Sequence, residues 1–157
     1  MSNGIGWRSV LFVSGCPHHC EGCQNKQTWD ENYGKKFNKD YYLSRVLNNK
    51  IINGITLSGG EPLTIDHIKE LIPFCSDIKK HKLTIWCYTG FTFEELIKSN
   101  DKYIKEILEL IDVLIDGRFI NELKDGSLQF RGSSNQRIID VQKSLKQEKI
   151  ILWKDEF

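Results

Sequence analysis

The stretch Gly54-Ile55-Thr56-Leu57-Ser58-Gly59-Gly60-Glu61-Pro62-Leu63 reads as a short buried strand, Ile55 to Ser58, that stops on two glycines. Helical periodicity follows at once. Ile68, Leu71, Ile72, Cys75 and Ile78 share the i, i+3, i+4, i+7 stripe of a core-facing helix. Pro73 falls inside that stripe, so the helix either kinks there or begins its regular part near Ile72 with Pro73 in the first turn.

The same alternation recurs on both sides. Ser9 to Val13 reads as the first strand and leads into a cysteine-rich loop, and Asp40 to Asn49 is a candidate helix with Tyr42, Leu43, Val46 and Leu47 turned inward. Lys79-Lys80-His81-Lys82 reads as a solvated helix C-terminus whose charges suit the helix dipole. Leu83 to Tyr88 is a strand closed by Thr89-Gly90. Thr92-Phe93-Glu94-Glu95 then has capping-box spacing, with Thr92 as N-cap and Glu95 reaching back. A helix from Tyr103 to Leu110 precedes a strand from Val113 to Asp116 closed by Gly117. Farther on, Gly132-Ser133-Ser134-Asn135 is loop-like, while Arg137 to Val141 and Ile150 to Trp153 read as extended.

Short apolar runs alternating with helices mark an α/β protein with a mostly parallel sheet. A complete eight-unit barrel takes about 250 residues, or about 31 per unit, so this chain holds about five or six βα units. The expected fold is an incomplete, TIM-like β/α barrel with an open side, residues 1–157 forming a single domain. In such sheets ligands bind at the carboxyl ends of the strands, here Ser58-Gly59, Thr89-Gly90 and Asp116-Gly117.

Composition supports a packed core and narrows the function. Ile, Leu, Val and Phe make up 47 of 157 residues, well above the roughly 20% below which chains tend to be disordered. The 22 Lys and Arg against 21 Asp and Glu leave a net charge of +1, which argues against a nucleic-acid partner held by broad electrostatic attraction. No run approaches the roughly 20 apolar residues of a membrane span. The longest early run, Val10 to Val13, is too short for a secretory signal. Val13-Ser14-Gly15-Cys16 looks like a lipid-anchor cleavage site, but two more cysteines follow directly. The expectation is a cytoplasmic protein whose thiols stay reduced, with no membrane partner.

The chemistry lies in Cys16-Pro17-His18-His19-Cys20-Glu21-Gly22-Cys23, with spacing C-x3-C-x2-C. Three thiols in one loop can wrap a single inorganic centre, whereas disulfides within the loop would leave one unpaired. A closed zinc site needs four ligands, with His18, His19, Cys75 or Cys87 as the possible fourth, yet no second cysteine pair stands at zinc-site spacing. An electron-carrier cluster normally takes four thiolates. Three leave one iron of a 4Fe–4S cubane without a protein ligand, and an open coordination position is where chemistry happens.

The cysteine motif followed by Gly59-Gly60-Glu61-Pro62 resembles the radical S-adenosylmethionine (SAM) superfamily. Further stretches resemble its anaerobic ribonucleoside-triphosphate reductase-activating proteins: Leu11 to Cys16, Cys23-Gln24-Asn25, Thr28-Trp29, Gly54 to Leu63, Trp86 to Gly90, Asp112 to Gly117 and Ser134 to Arg137. The likeness runs from about Gly4 to Trp153. It implies that SAM's amino and carboxylate groups chelate the open iron. One electron then breaks a C–S bond, and a 5′-deoxyadenosyl radical takes hydrogen from a glycine of the reductase large subunit. The cofactors carry that chemistry, so no catalytic side chain is expected. A flavodoxin or ferredoxin-type protein would supply the electron. A pyruvate formate-lyase type enzyme as target, or a non-catalytic zinc or iron–sulfur module, are the competing readings.

Residue by residue, the resemblance makes Cys16, Cys20 and Cys23 the cluster ligands. Gly59 and Gly60 would approach SAM's methionine moiety, with Glu61 orienting the turn. Thr89 and Gly90 would meet SAM at the next strand end, and Gly22 and Gln24 would face its adenosine. Ordinary turn chemistry remains open for both glycine turns. Cys75 and Cys87 read as small buried apolar residues, His18 and His19 as solvated loop residues, and Trp29 as packing the loop down. Ser133 to Arg137 is a turn by its chemistry and a partner or SAM contact by resemblance. Members usually carry a strand segment before the position of Asn3, whereas this sequence starts almost on the first motif, which would expose a sheet edge.

Overall fold

A computed structural model describes residues 3–155. Strands β1 (Arg8–Val13), β2 (Gly54–Gly59), β3 (Thr84–Tyr88), β4 (Val113–Asp116) and β5 (Arg137–Asp140) form one sheet in that order. The first four run parallel, each beside its predecessor, and the sheet does not close. Between them lie helices α1 (Lys39–Leu47), α2 (Ile65–Lys80), α3 (Phe93–Lys98) and α4 (Lys102–Leu110), with α5 (Val141–Gln147) at the end. This is the expected partial barrel. Its fifth strand pairs antiparallel to β4, Asp116 facing Arg137, because the connection from 117 to 136 holds only one short 3-10 turn and folds the chain back.

Period-2 alternation divides the core. Ile85, Cys87 and Leu114 point toward the helices and join Ile55, Leu57, Ile68, Leu71, Phe74 and Ile107 in the main cluster. Trp86, Val113 and Ile115 point to the other face, where Phe130 and Trp153 pack edge-on against Trp86 at 5.2 and 5.1 Å. On that face the Arg8 guanidinium lies 5.5 Å from the Trp86 ring and donates to Thr56, Thr84 and the Ile55 carbonyl. Burial pulls it down to about 10. Each fully buried Ile or Leu contributes about 1.5–3 kcal/mol of transfer free energy.

Local signals set the helix starts. Thr92 Oγ1 accepts from Glu95 N, and Glu95 Oε2 accepts from Thr92 N at 2.7 Å, so both halves of the capping box form. Thr64 caps α2, which places Pro73 in mid-helix rather than in the first turn. Lys79 is no free solvated charge: its Nζ meets both Asp112 carboxylate oxygens at 2.6 and 2.7 Å, and Asp112 in turn accepts from Ile85 N. Ile150 to Trp153 forms no full strand but meets β5 at one bridge, Leu152 opposite Ile139, where Ile151 O accepts from Asp140 N and Trp153 N donates to Ile138 O, both at 2.9 Å. Among the described residues no helix is long and apolar enough to cross a membrane.

Candidate metal centre

The cysteine loop leaves β1 at Val13 and is fastened from beneath by the turn after β2. Gly60 N donates to Val13 O at 2.8 Å and Glu61 N to Gly15 O at 2.9 Å. On the other side Gly15 N donates to Thr28 O and Cys16 N to Trp29 O. The double glycine makes this approach possible. Gly59 has φ +94°, and an added Cβ would lie 2.7 Å from Val13 O, while one on Gly60 would lie 2.3 Å from Gly15 O. The glycines thus meet the cysteine loop itself.

Cys16, Cys20 and Cys23 are free thiols that line one cavity together with Gln24, Gly59, Gly60, Glu61, Thr89 and Gly90. Gly22 lies outside that lining. Its near neighbours are Asn121 and Phe119, and a Cβ there would come 2.5 Å from Asn121 Oδ1. Cys75 and Cys87 are buried in the core as expected, and burial pushes both thiols up, Cys75 to about 12. Burial also raises Cys16, against the pull of the His18 and His19 backbone N–H groups. Asn25 N donates to Cys23 Sγ at 3.3 Å.

Glu61 is the hub of the site, 1% exposed. Its Oε1 accepts from Leu63 N and Thr89 Oγ1, both at 2.8 Å; its Oε2 lies 2.7 Å from both Gly90 N and His18 Nε2. Four partners occupy the carboxylate, so Glu61 joins the ends of β2 and β3 to the cysteine loop. Thr89 is engaged likewise, its hydroxyl also accepting from Phe91 N.

His18 corrects the sequence reading. Its side chain is 5% exposed, not solvated. The ring packs edge-on against Phe91 at 4.7 Å, in space that a Cβ on Gly90 would enter at 2.3 Å. His19 is exposed and stacks on Trp29 at 4.5 Å, which holds the loop as expected of that tryptophan. Sequence reasoning missed Arg118, whose Nε donates to His18 Nδ1 at 3.2 Å at the cavity rim.

The Ser133–Arg137 stretch fastens the loop after β4. Gln136 Oε1 accepts from Gly132 N and Ser133 N while Nε2 donates to Gly117 O, and Asn135 Nδ2 donates to Arg118 O. Arg137 spans Asp116 and Glu94. The cysteine cavity shares Gly90, Gly117 and Arg118 with an adjoining cavity of about 440 Å³. A larger one of about 650 Å³ lies beside β1 and is lined by none of the cysteines.

The donor set suits a polynuclear cluster. Among the described residues no three His, Cys, Asp or Glu side chains converge on a position for one metal ion, yet three unpaired thiols ring one cavity. The Trp29 indole N–H, from another lining residue, is buried without an acceptor among the described residues and leaves a donor for a bound group.

The 4Fe-4S single cluster domain family matches residues 2–139. The chain belongs to the anaerobic ribonucleoside-triphosphate reductase-activating proteins. It is similar to the protein of that name from Haemophilus influenzae, with 42% identity over 148 residues covering 87% of this chain and 89% of the relative. The Escherichia coli K12 activating protein is 41% identical over 140 residues, covering 85% and 88%. That of Enterobacteria phage T4 is 39% identical over 140 residues, covering 87% and 85%. Membership of a 4Fe–4S family agrees with the thiol loop, and the mononuclear zinc reading falls.

Proposed function

We propose that this chain, one radical SAM domain over residues 1–157, is the activating enzyme of an anaerobic, class III ribonucleoside-triphosphate reductase. It cleaves SAM reductively at a 4Fe–4S cluster and so generates the glycyl radical on the reductase large subunit. One observation supports this most: a single loop brings three free thiols to a cavity that also carries the Gly59–Gly60 turn, while Cys75 and Cys87 stay in the core. Cys16, Cys20 and Cys23 are the proposed ligands, leaving one iron for SAM. When bound, the cluster supplies one electron to the SAM sulfonium.

The chain's own groups bind and orient. Gly59 and Gly60 offer backbone where side chains would block, and Gln24 and Gly90 line the cavity rim for the cosubstrate. Glu61 and Thr89 act by fixing the strand ends, since their side-chain oxygens are spent within the protein. Gly22 gives the loop its turn beside Cys23, with φ +74°. The electron must come from outside the chain, and a flavodoxin or ferredoxin-type protein fits that need. A net charge of +1 offers no ground for a nucleic-acid partner. A set of reduced thiols suits the cytoplasm.

The test is anaerobic. Protein reconstituted with iron and sulfide, then reduced, is expected to convert SAM to methionine and 5′-deoxyadenosine, and to leave an organic radical on the reductase by electron paramagnetic resonance. No 5′-deoxyadenosine would reject the chemistry. A radical on a pyruvate formate-lyase type enzyme and none on the reductase would reassign the partner.

A further inference from the structure

His18 stands between two of the three loop thiols, yet its ring is directed away from solvent into the protein. Its two nitrogens are both engaged, Nε2 with Glu61 Oε2 at 2.7 Å and Nδ1 with Arg118 Nε at 3.2 Å. A guanidinium Nε–H can only donate, so Nδ1 accepts and the ring donates from Nε2 to the carboxylate. The direction of the chain is thereby fixed: Arg118 to His18 to Glu61. Glu61 then distributes to Leu63 N, Thr89 Oγ1 and Gly90 N. Through one imidazole the loop carrying Cys16 and Cys20 is tied to the carboxyl ends of β2, β3 and β4.

The surroundings are shaped for that ring. Phe91 supplies an edge contact at 4.7 Å, and Gly90 lacks the side chain that would occupy the same volume. Among the described residues, beside the bonds of Gly15 and Cys16 to Thr28 and Trp29, the bond of Glu61 N to Gly15 O and the stack of His19 on Trp29, the His18 side chain is the tie that reaches the segment between the first two cysteines from the strand ends. Its acceptor is a buried carboxylate, so the bond is charge-assisted and short. Loss of the donor frees the loop and also leaves Glu61 with one partner fewer beside the thiols.

We infer that His18 is a positioning residue, the latch that holds the thiol loop on Glu61 and couples the rim cation Arg118 to that carboxylate. In consequence it fixes where the thiols stand and how much negative charge they face. The inference rests on the reading that Cys16, Cys20 and Cys23 hold the cluster only for its redox consequence; the latch itself belongs to the metal-free chain.

Two near-isosteric variants separate the bonds. His18→Gln keeps a donor near the Nε2 position for Glu61, and His18→Asn keeps an acceptor near Nδ1 for Arg118 while losing that donor. In the metal-free full-length chain, thiol modification by a disulfide reagent is followed residue by residue. His18→Asn is expected to speed Cys16 about tenfold, the size of one lost bond to a charged group, with His18→Gln close to wild type. Cys75 and Cys87 are the internal control, since general loosening would speed them too. In reconstituted protein, His18→Asn is expected to hold iron as wild type does but to lower the reduced-to-oxidised ratio at a fixed potential about tenfold, or about 59 mV for one electron. Equal Cys16 rates in the two variants, or all five thiols accelerated together, would overturn the latch. Failure of wild type to bind iron would sink the cluster reading and leave the thiol result standing on its own.

Discussion

Arg137 and Glu94 form a two-pronged ion pair, Nη1 donating to Oε1 at 3.0 Å and Nη2 to Oε2 at 2.6 Å. The Arg137 bonds hold the Glu94 carboxyl down at about 2, against an ordinary 4.5. The folded state therefore binds fewer protons than the unfolded one as acid is added. The pair's contribution is whole above pH 4.5 and is lost as pH falls toward 2. Glu94 is 44% exposed, so screening keeps that contribution below about 1 kcal/mol. The unfolding free energy of wild type minus that of Glu94→Gln, measured in urea, is expected to shrink to zero across that interval. A difference independent of pH would contradict the assignment.

Arg137 matters more for its other partner. Its Nε and Nη2 donate to Asp116, which is 1% exposed and also accepts from Phe93 N. Removing the guanidinium leaves that buried carboxylate with Phe93 N as its donor among the described residues. Arg137→Gln is expected to cost about 2 kcal/mol at neutral pH, clearly more than Glu94→Gln, in chemical denaturation. Equal costs would place the weight on the exposed pair instead.

Gly60→Ala is expected to disturb the site more than the fold at large. The added methyl would lie 2.3 Å from Gly15 O and 2.9 Å from Thr28 O, backbone atoms that move only with the cysteine loop. A loss of about 2 kcal/mol, or about 4–8 °C in melting temperature for a chain of this size, should accompany reduced iron uptake. Gly126→Ala, with nothing within 4 Å, is the neutral control. Full iron uptake by Gly60→Ala would show that the turn does not set the loop.

Most of the scaffold was legible because its signals are local. The strand expected from Val113 to Asp116 is found at those residues, and the Thr92–Glu95 spacing delivers both halves of the capping box. Cysteine spacing likewise marks the loop by itself. His18 was misread as solvated because its burial comes from Glu61, Phe91 and Arg118, the last of them 100 residues away in sequence. Lys79 misled in the same manner, its partner Asp112 lying 33 residues on. The Ser133–Arg137 stretch read as a turn by its chemistry and as a partner or SAM contact by resemblance, and its scaffold bonds stayed hidden because Gly117, Asp116 and Glu94 become its partners only once β4 and β5 pair. One signal was there to be used: a glutamate following a buried strand and a double glycine needs donors, and His18 in the neighbouring loop can supply one.

Burial separates the five thiols. Cys75 and Cys87 are 0% exposed and pushed up, Cys75 to about 12, so neither presents a thiolate near neutral pH. In metal-free native protein at pH 8, a chromogenic disulfide reagent is expected to find three thiols, with Cys16 raised by burial and slower than it would be in the unfolded chain. Guanidinium should release the other two. Five fast thiols without denaturant would place Cys75 and Cys87 outside the core.

The ligand set can be assigned by removing one sulfur at a time. Cys16, Cys20 and Cys23 line the cavity from one loop, while Cys75 lies on α2 and Cys87 on β3 within the main core. Cys16→Ala, Cys20→Ala or Cys23→Ala should therefore leave a folded chain that fails to hold a 4Fe–4S cluster, because two thiolates cannot anchor a cubane that already lacks a fourth. Cys75→Ala and Cys87→Ala should keep four iron per chain and lose about 1 kcal/mol of stability, the cost of a small vacancy in a packed core. Iron and acid-labile sulfide analysis after anaerobic reconstitution reads the first difference, and denaturant unfolding reads the second. If Cys75→Ala or Cys87→Ala abolished the cluster while one of the loop variants kept it, a core thiol would be the ligand.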